Sequence, residues 1–218
     1  EEKFLYYTVS EGLPDDVTYG FLEDNIGNYW ISTNKGLSKF NKITGEFRNY
    51  NNSDGILNLE FNGKSFLKTA DGKFYFGGTN GITTFYPQNI SVNNYIPDIA
   101  VTELSIMNNV IEPDKEYDGR IILSKNISYT DNIELSYSDK IFSFRFSSLN
   151  YINSDKNKYA YKLENFDDDW VYSGNRNYVM YTNIKPGNYI FKVKGSNNDG
   201  VWNENPAEIK IKIIPPFY

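Results

Sequence analysis

An all-β chain in two parts is what this sequence predicts, and three observations predict it. Two stretches near the N-terminus repeat each other about 45 residues apart. Beyond Pro87, short runs alternate apolar and polar residues with turn residues between them. Aromatic residues make up 17% of the chain, with 19 Tyr and 15 Phe, a composition suited to pleated, half-buried surfaces. The repeat predicts a partial β-propeller of about two blades over residues 1–92. The alternation predicts an immunoglobulin- or fibronectin-III-like β-sandwich over residues 93–218.

The echo pairs Gly27 with Gly72, Trp30 with Tyr75, Gly36 with Gly81 and Phe40 with Phe85, each 45 positions apart. Thr33 is set against Thr79 or Asn80. Two unrelated hairpins with common turn chemistry would also echo, but here the register holds across two turns and two strands. A second echo, offset by 43, relates Phe4-Leu5-Tyr6-Tyr7 and Gly12-Leu13 to Phe47-Arg48-Asn49-Tyr50 and Gly55-Ile56. The chain is therefore expected to open on the outer strand of a preceding blade. In the first full unit, strands are expected at 17–22, 29–32, 37–40 and 47–50, and Asn and Gly at the corners supply positive φ. A closed propeller needs at least about four blades of four strands, so further blades are expected outside this sequence.

Around Pro87 the character changes, and Asn93-Asn94-Tyr95-Ile96-Pro97 reads as a short linker. Strands are then expected at 99–107, 121–123, 132–137, 141–146, 158–163, 178–182, 189–193 and 209–213. Phe142, Phe144 and Phe146 face inward against Ser143 and Arg145, and Ile209, Ile211 and Ile213 against Lys210 and Lys212. The Cys…Trp…Cys pattern of true immunoglobulin domains is absent.

Composition narrows the chemistry. The 218 residues carry 28 acidic and 22 basic side chains, a formal charge of −6 without long runs of one sign. A nucleic-acid backbone or an anionic membrane surface would need a basic patch. With no Cys there are no disulfides, thiolate nucleophiles or Cys zinc sites, and with no His there is no Ser-His-Asp triad, imidazole ligand or phosphoacceptor histidine. No apolar run approaches the ~18–20 residues that span a bilayer. The chain opens on Glu1-Glu2-Lys3, so any targeting segment is expected outside it.

The run Asn157-Lys158-Tyr159-Ala160-Tyr161-Lys162-Leu163-Glu164-Asn165-Phe166-Asp167-Asp168-Asp169-Trp170 resembles the opening of the triple-tyrosine (Y_Y_Y) domain. Tyr181–Asn197 and Asp199-Gly200-Val201-Trp202 continue it, up to Pro215-Pro216-Phe217-Tyr218. The repeats resemble the two-component-regulator propeller repeat, met at Glu23-Asp24, Gly27, Tyr29-Trp30-Ile31-Ser32-Thr33 and Gly36-Leu37. Ser32 stands where Gly is usual, and the second repeat has Tyr75 for the Trp. In this order the modules are similar to the periplasmic part of Bacteroidetes-type hybrid two-component sensors. That resemblance implies a following transmembrane helix, inner-membrane anchoring, and a cytoplasmic histidine kinase, receiver and DNA-binding domain.

No residue is assigned as catalytic, cofactor-binding or metal-ligating, and ligand-contacting residues are unknown from sequence. Asp167-Asp168-Asp169 reads as a solvated turn, because glycoside hydrolysis needs two carboxyls facing each other across a cleft and calcium needs ligands at alternate positions. Asn197-Asn198-Asp199-Gly200 reads as a tight turn rather than a cation site. Trp30 reads as a blade-packing residue rather than a sugar platform, and Trp170 and Trp202 as core or rim packing. Tyr159, Tyr161, Tyr181 and Tyr189 read as packing and hydroxyl anchors. The triplets Asn89-Ile90-Ser91 and Asn126-Ile127-Ser128 match a glycosylation acceptor that a bacterial source leaves without meaning.

The leading expectation is a periplasmic sensor segment for carbohydrate sensing and transcription control. An oligo- or polysaccharide would be held mainly by further blades, with homodimerisation through the sandwich or open strand edges and no nucleic-acid contact here. A carbohydrate-binding module or lectin without a signalling role is the alternative, and a fragment of a glycoside-active enzyme a third.

Overall fold

The computed structural model describes residues 4–216, so Glu1-Glu2-Lys3 and Phe217-Tyr218 lie outside the described residues. The chain is all-β, its strands joined by turns and single-turn 3₁₀ segments. No helix among the described residues is long and apolar enough to cross a membrane. Two compact units divide the chain, one ending at Ser91 and the other beginning at Val92.

In the first unit, β1 (Thr18–Glu23), β2 (Tyr29–Thr33), β3 (Gly36–Asn41) and β4 (Glu46–Tyr50) form an antiparallel meander. A second meander contains β5 (Phe61–Lys68), β6 (Phe74–Gly78) and β7 (Gly81–Phe85). The sheets share one core. Trp30 is 1% exposed, stacked on Tyr50 at 5.2 Å and tilted against Phe85 of the second sheet at 4.8 Å. Leu37, Ile56, Phe61, Phe74 and Phe76 complete it. The opposite face of the first sheet is covered in part: Ser38 and Phe40 are buried there and Tyr7 packs on Phe40, while Phe21 stays exposed and edge-on to Tyr29.

The structure refines the repeat in three ways. Thr33 pairs with Gly36 as Gly78 pairs with Gly81, so Thr33 corresponds to Gly78, not to Thr79 or Asn80. The unusual Ser32 lies opposite Gly20, whose carbonyl accepts its hydroxyl at 3.2 Å. In the second sheet the sizes exchange, and a Cβ on Gly77 would meet the Ser65 hydroxyl. Finally, the second sheet has three strands rather than four. After β7 the chain turns at Pro87, which cannot donate a ladder hydrogen bond, and residues from Asn93 onward are bonded into the second unit.

The echo offset by 43 is structural at its turn and fails at its strand. Thr8 and Glu11 form a capping box around one 3₁₀ turn, Asn51 and Asp54 a matching one around another, and Gly12 and Gly55 end both with positive φ. Leu13 and Ile56 follow, both buried. Phe4–Tyr7, however, is no strand, and Phe4, Leu5 and Tyr6 are exposed. A strand needs a backbone partner, and none pairs with this segment among the described residues. Tyr7 is held instead by its ring, 4.8 Å from Phe40 and 5.6 Å from Phe47.

The second unit contains β8 (Ile99–Ile106), β9 (Asn109–Val110), β10 (Glu116–Tyr117), β11 (Arg120–Ile121), β12 (Asn132–Ser136), β13 (Ile141–Ser148), β14 (Tyr159–Glu164), β15 (Val171–Gly174), β16 (Tyr178–Thr182), β17 (Gly187–Gly195) and β18 (Ala207–Ile214). A five-stranded sheet of order β12-β18-β17-β14-β15 faces a four-stranded sheet of order β16-β13-β8-β9. The expected alternation holds: Phe142, Phe144 and Phe146 are buried from one side, and Ile209, Ile211 and Ile213 from the other. Phe144 stacks on Phe191 across the core at 4.4 Å. The strand expected at 121–123 shortens to β11 because the chain turns inward there, burying Leu123 in the core.

Candidate functional site

Each chemically tempting residue has a structural partner, and those partners define what the site can do. In the first unit Asp24 is the organising carboxylate of the β1–β2 turn. It accepts from the Asn28 amide N–H at 2.9 Å, the Asn28 side chain at 3.0 Å, the Trp30 indole at 3.1 Å and the Ile26 amide at 3.1 Å. Burial works against its charge, but donation from Asn28, Trp30 and Ile26 outweighs burial and holds the carboxyl below its usual range. Trp30 is thus a packing residue anchored by its indole, with no face free for a sugar.

The second repeat changes both members of this contact. Thr69 occupies the position of Asp24 and accepts from the Lys73 amide at 3.2 Å, and Tyr75 replaces the indole that would need a carboxylate. The sequence signal for this staple is the Asp-x-x-x-Asn-x-Trp spacing. The repeat motif includes Glu23-Asp24, but the motif alone does not say that this carboxylate holds the Trp30 indole.

In the second unit Tyr159, Tyr161 and Tyr181 are buried anchors. The Tyr159 hydroxyl accepts from the Ser148 amide at 3.2 Å, Tyr161 accepts from the Arg176 guanidinium at 3.0 Å, and Tyr181 donates to Asp167 at 3.2 Å. Burial, followed by the neighbouring Asp167 charge, pushes the Tyr181 phenol far up, so it serves as a fixed donor. Tyr189 is more peripheral and donates to the Lys185 carbonyl at 3.0 Å.

The three consecutive aspartates diverge. Asp167 accepts from the Leu163 amide at 2.7 Å and Asp169 from the Trp170 amide at 2.7 Å, a turn rather than a carboxylate pair. Gly200 has a φ of 82°, and the Asn197 side chain caps the 197–201 turn. Asn126 caps the 3₁₀ turn before Thr130 by accepting from the Ser128 amide. Among the described residues no group of three or more His, Cys, Asp or Glu is placed to hold a metal ion.

Trp170 and Trp202 are neither core nor free. They surround the Lys194 ammonium, 5.0 and 5.7 Å from their ring centres, with Tyr172 at 5.8 Å. Glu204 accepts from Lys194 at 2.7 Å, and this contact, against burial, holds the ammonium above its usual range. Tyr172 leaves much of its ring exposed. Elsewhere on the same sheet an open groove of about 560 Å³ runs over β12, β18 and β17, lined by Glu134, Asn165, Asn188, Lys210 and Lys212. The arrangement offers binding surface and rigid anchoring.

Comparison with known proteins agrees with this geometry. Residues 150–213 match the Y_Y_Y domain. Over 164 residues, 75% of this chain, the sequence is 37% identical to Histidine kinase P4 of Formosa agariphila, and it spans 12% of that protein's length. A solved extracellular domain from B. thetaiotaomicron, described as that of a hybrid two component system, superposes with a TM-score of 0.75 at 28% identity. That match covers 96% of this chain and 28% of the solved one. The resemblance drawn from the sequence stands: in sequence and in fold this chain is similar to the extracellular segment of a hybrid two-component sensor.

Proposed function

We propose that this chain is the last part of the periplasmic sensing region of a hybrid two-component histidine kinase. The observation that carries this reading is that both units, in this order and along nearly the whole chain, match an extracellular sensor domain. The first unit supplies the end of a ligand-binding propeller. The sandwich ends just before a transmembrane helix and relays the bound state to a cytoplasmic kinase in an inner-membrane parent.

The ligand proposed is an oligo- or polysaccharide held mainly by further blades. A net charge of −6 and the absence of a basic run support a neutral polar ligand over a nucleic acid. Signalling needs the ligand to prefer one of two arrangements of a homodimer, by about 1–3 kcal/mol on the usual scale of such coupling. Pro215 and Pro216, directly after β18, stiffen the exit from the sandwich.

The test uses the full receptor with a transcriptional reporter and a panel of oligosaccharides, alongside calorimetry on its whole extracellular region. One glycan class should both bind and switch the reporter, and Pro215→Gly with Pro216→Gly should blunt the switch. Binding without any reporter response would favour the lectin reading, and release of reducing ends would favour a glycoside-active enzyme.

A further inference from the structure

We infer that Asn197 is a clasp that ties the lead-in segment 93–97 to the turn before the last strand, so that the two move as one body. Asn197 has no exposed surface, and its carboxamide is fully used. Its nitrogen donates to the carbonyls of Asn93 at 2.6 Å and Tyr95 at 2.7 Å. Its oxygen accepts from the amides of Asp199 at 2.8 Å and Val201 at 3.0 Å. A carboxamide offers two donor hydrogens and an acceptor with two lone pairs, so all four are satisfied. Half of this set builds the turn and half holds the segment.

Other contacts close the same clasp. The Asn93 amide donates to the Asp199 carboxylate at 2.6 Å, and Asn203 donates to the carbonyl of Pro97 at 2.9 Å. The Asn93 side chain donates to Asn198 at 2.9 Å. Buried hydrogen bonds of this kind are costly to leave unmade, so the segment is fixed rather than a free linker. Residues 202–206 join the turn it grips to β18, with Asn203 among them also holding Pro97, and the end of β18 is followed by Pro215. A displacement applied to 93–97 therefore reaches the terminal strand without first crossing the sandwich core. That this path carries a signal rests on the sensor reading above; the clasp itself is a property of this chain alone.

The test is hydrogen exchange on the 218-residue chain without ligand or membrane, so its outcome is independent of whether the parent senses a glycan. Asn197→Asp keeps the acceptor for the turn but sets an oxygen against the carbonyls of Asn93 and Tyr95. It should speed exchange of the Asn93 and Tyr95 amides about tenfold or more, while Asp199, Val201 and the β13 amides keep their protection. Unchanged protection at Asn93 and Tyr95 would overturn the clasp. If Asn197→Asp opens the whole sandwich, Asn203→Ala decides, because it removes the donor to Pro97 together with the acceptor for the Asn205 amide, which lies outside the segment 93–97. Faster exchange at 93–97 with β13 unaffected supports the inference, and wild-type protection there rejects it.

Discussion

The two units solve the same problem, burying one face of short antiparallel sheets, to different degrees. The sandwich closes both inner faces upon each other, with Phe144 on Phe191 at its centre. The first unit fills the seam between its two sheets and buries Leu13 and Phe40 outside it, but leaves Phe21, Leu67 and Ile82 exposed on other faces. Among the described residues the sandwich core holds 22 buried side chains and the seam seven, so most of the hydrophobic stabilisation of the chain lies after Val92. The difference teaches that the first unit is built like one member of a row, in which each sheet completes its core against a neighbour.

That comparison can be broken by experiment, because the chain has three tryptophans and they divide between the units: Trp30 reports on the seam, Trp170 and Trp202 on the sandwich. The largest effect is expected from Phe144→Ala, which should lower sandwich stability by about 3–5 kcal/mol in denaturant titrations. The Trp30 transition should hold its midpoint; an equal shift there would mean that the two units unfold as one.

Next in size is Asp24→Ala, expected to cost the first unit about 1–3 kcal/mol by orphaning the Trp30 and Asn28 donors. The pH dependence follows from the depressed carboxyl of Asp24. Its charge-dependent contribution is present above the unfolded-state pKa and is lost as pH falls through the lower folded-state value. The gap between wild type and Asp24→Asn should therefore narrow on acidification, and a gap that widens would contradict the assignment.

Tyr181→Phe should cost the sandwich about 0.5–1.5 kcal/mol, since Asp167 keeps the Leu163 amide as a donor. No loss would show that the aromatic packing of Tyr181, rather than its hydroxyl, is what matters. The smallest change is expected from Lys192→Gln. Lys192 bridges Glu164 at 2.8 Å and Glu208 at 3.1 Å across three strands, but on a solvated face. It should contribute no more than about 1 kcal/mol, and salt should erase most of that.

Much of the fold was legible because its signals are local. Alternation at Phe142–Phe146 and Ile209–Ile213 states which side chains point inward, and Gly36 and Gly81 mark turns that need positive φ. Pairing partners are not local, and there the reading ran out. Phe4–Tyr7 has the letters of a strand but pairs with no strand among the described residues, and nothing in β12 announces that it pairs in parallel with β18. Lys194 reads as a solvent-facing lysine until the fold brings Trp170, Tyr172 and Trp202 around it. Asn197 looks like one of several turn asparagines, and only the return of residues 93–95 to its side reveals the second half of its hydrogen bonds.

The placement of β18 has a mechanical corollary. It lies inside its sheet, laddered in parallel to β12 through Ile214 and antiparallel to β17 through Ile213. A force drawn along its axis from the Pro215 end loads the rungs on both sides together, in shear, instead of opening them one after another as at a peeling edge. The strand should thus behave as a stiff rod under tension, passing a pull on as a shift of the whole sheet rather than dissipating it by fraying.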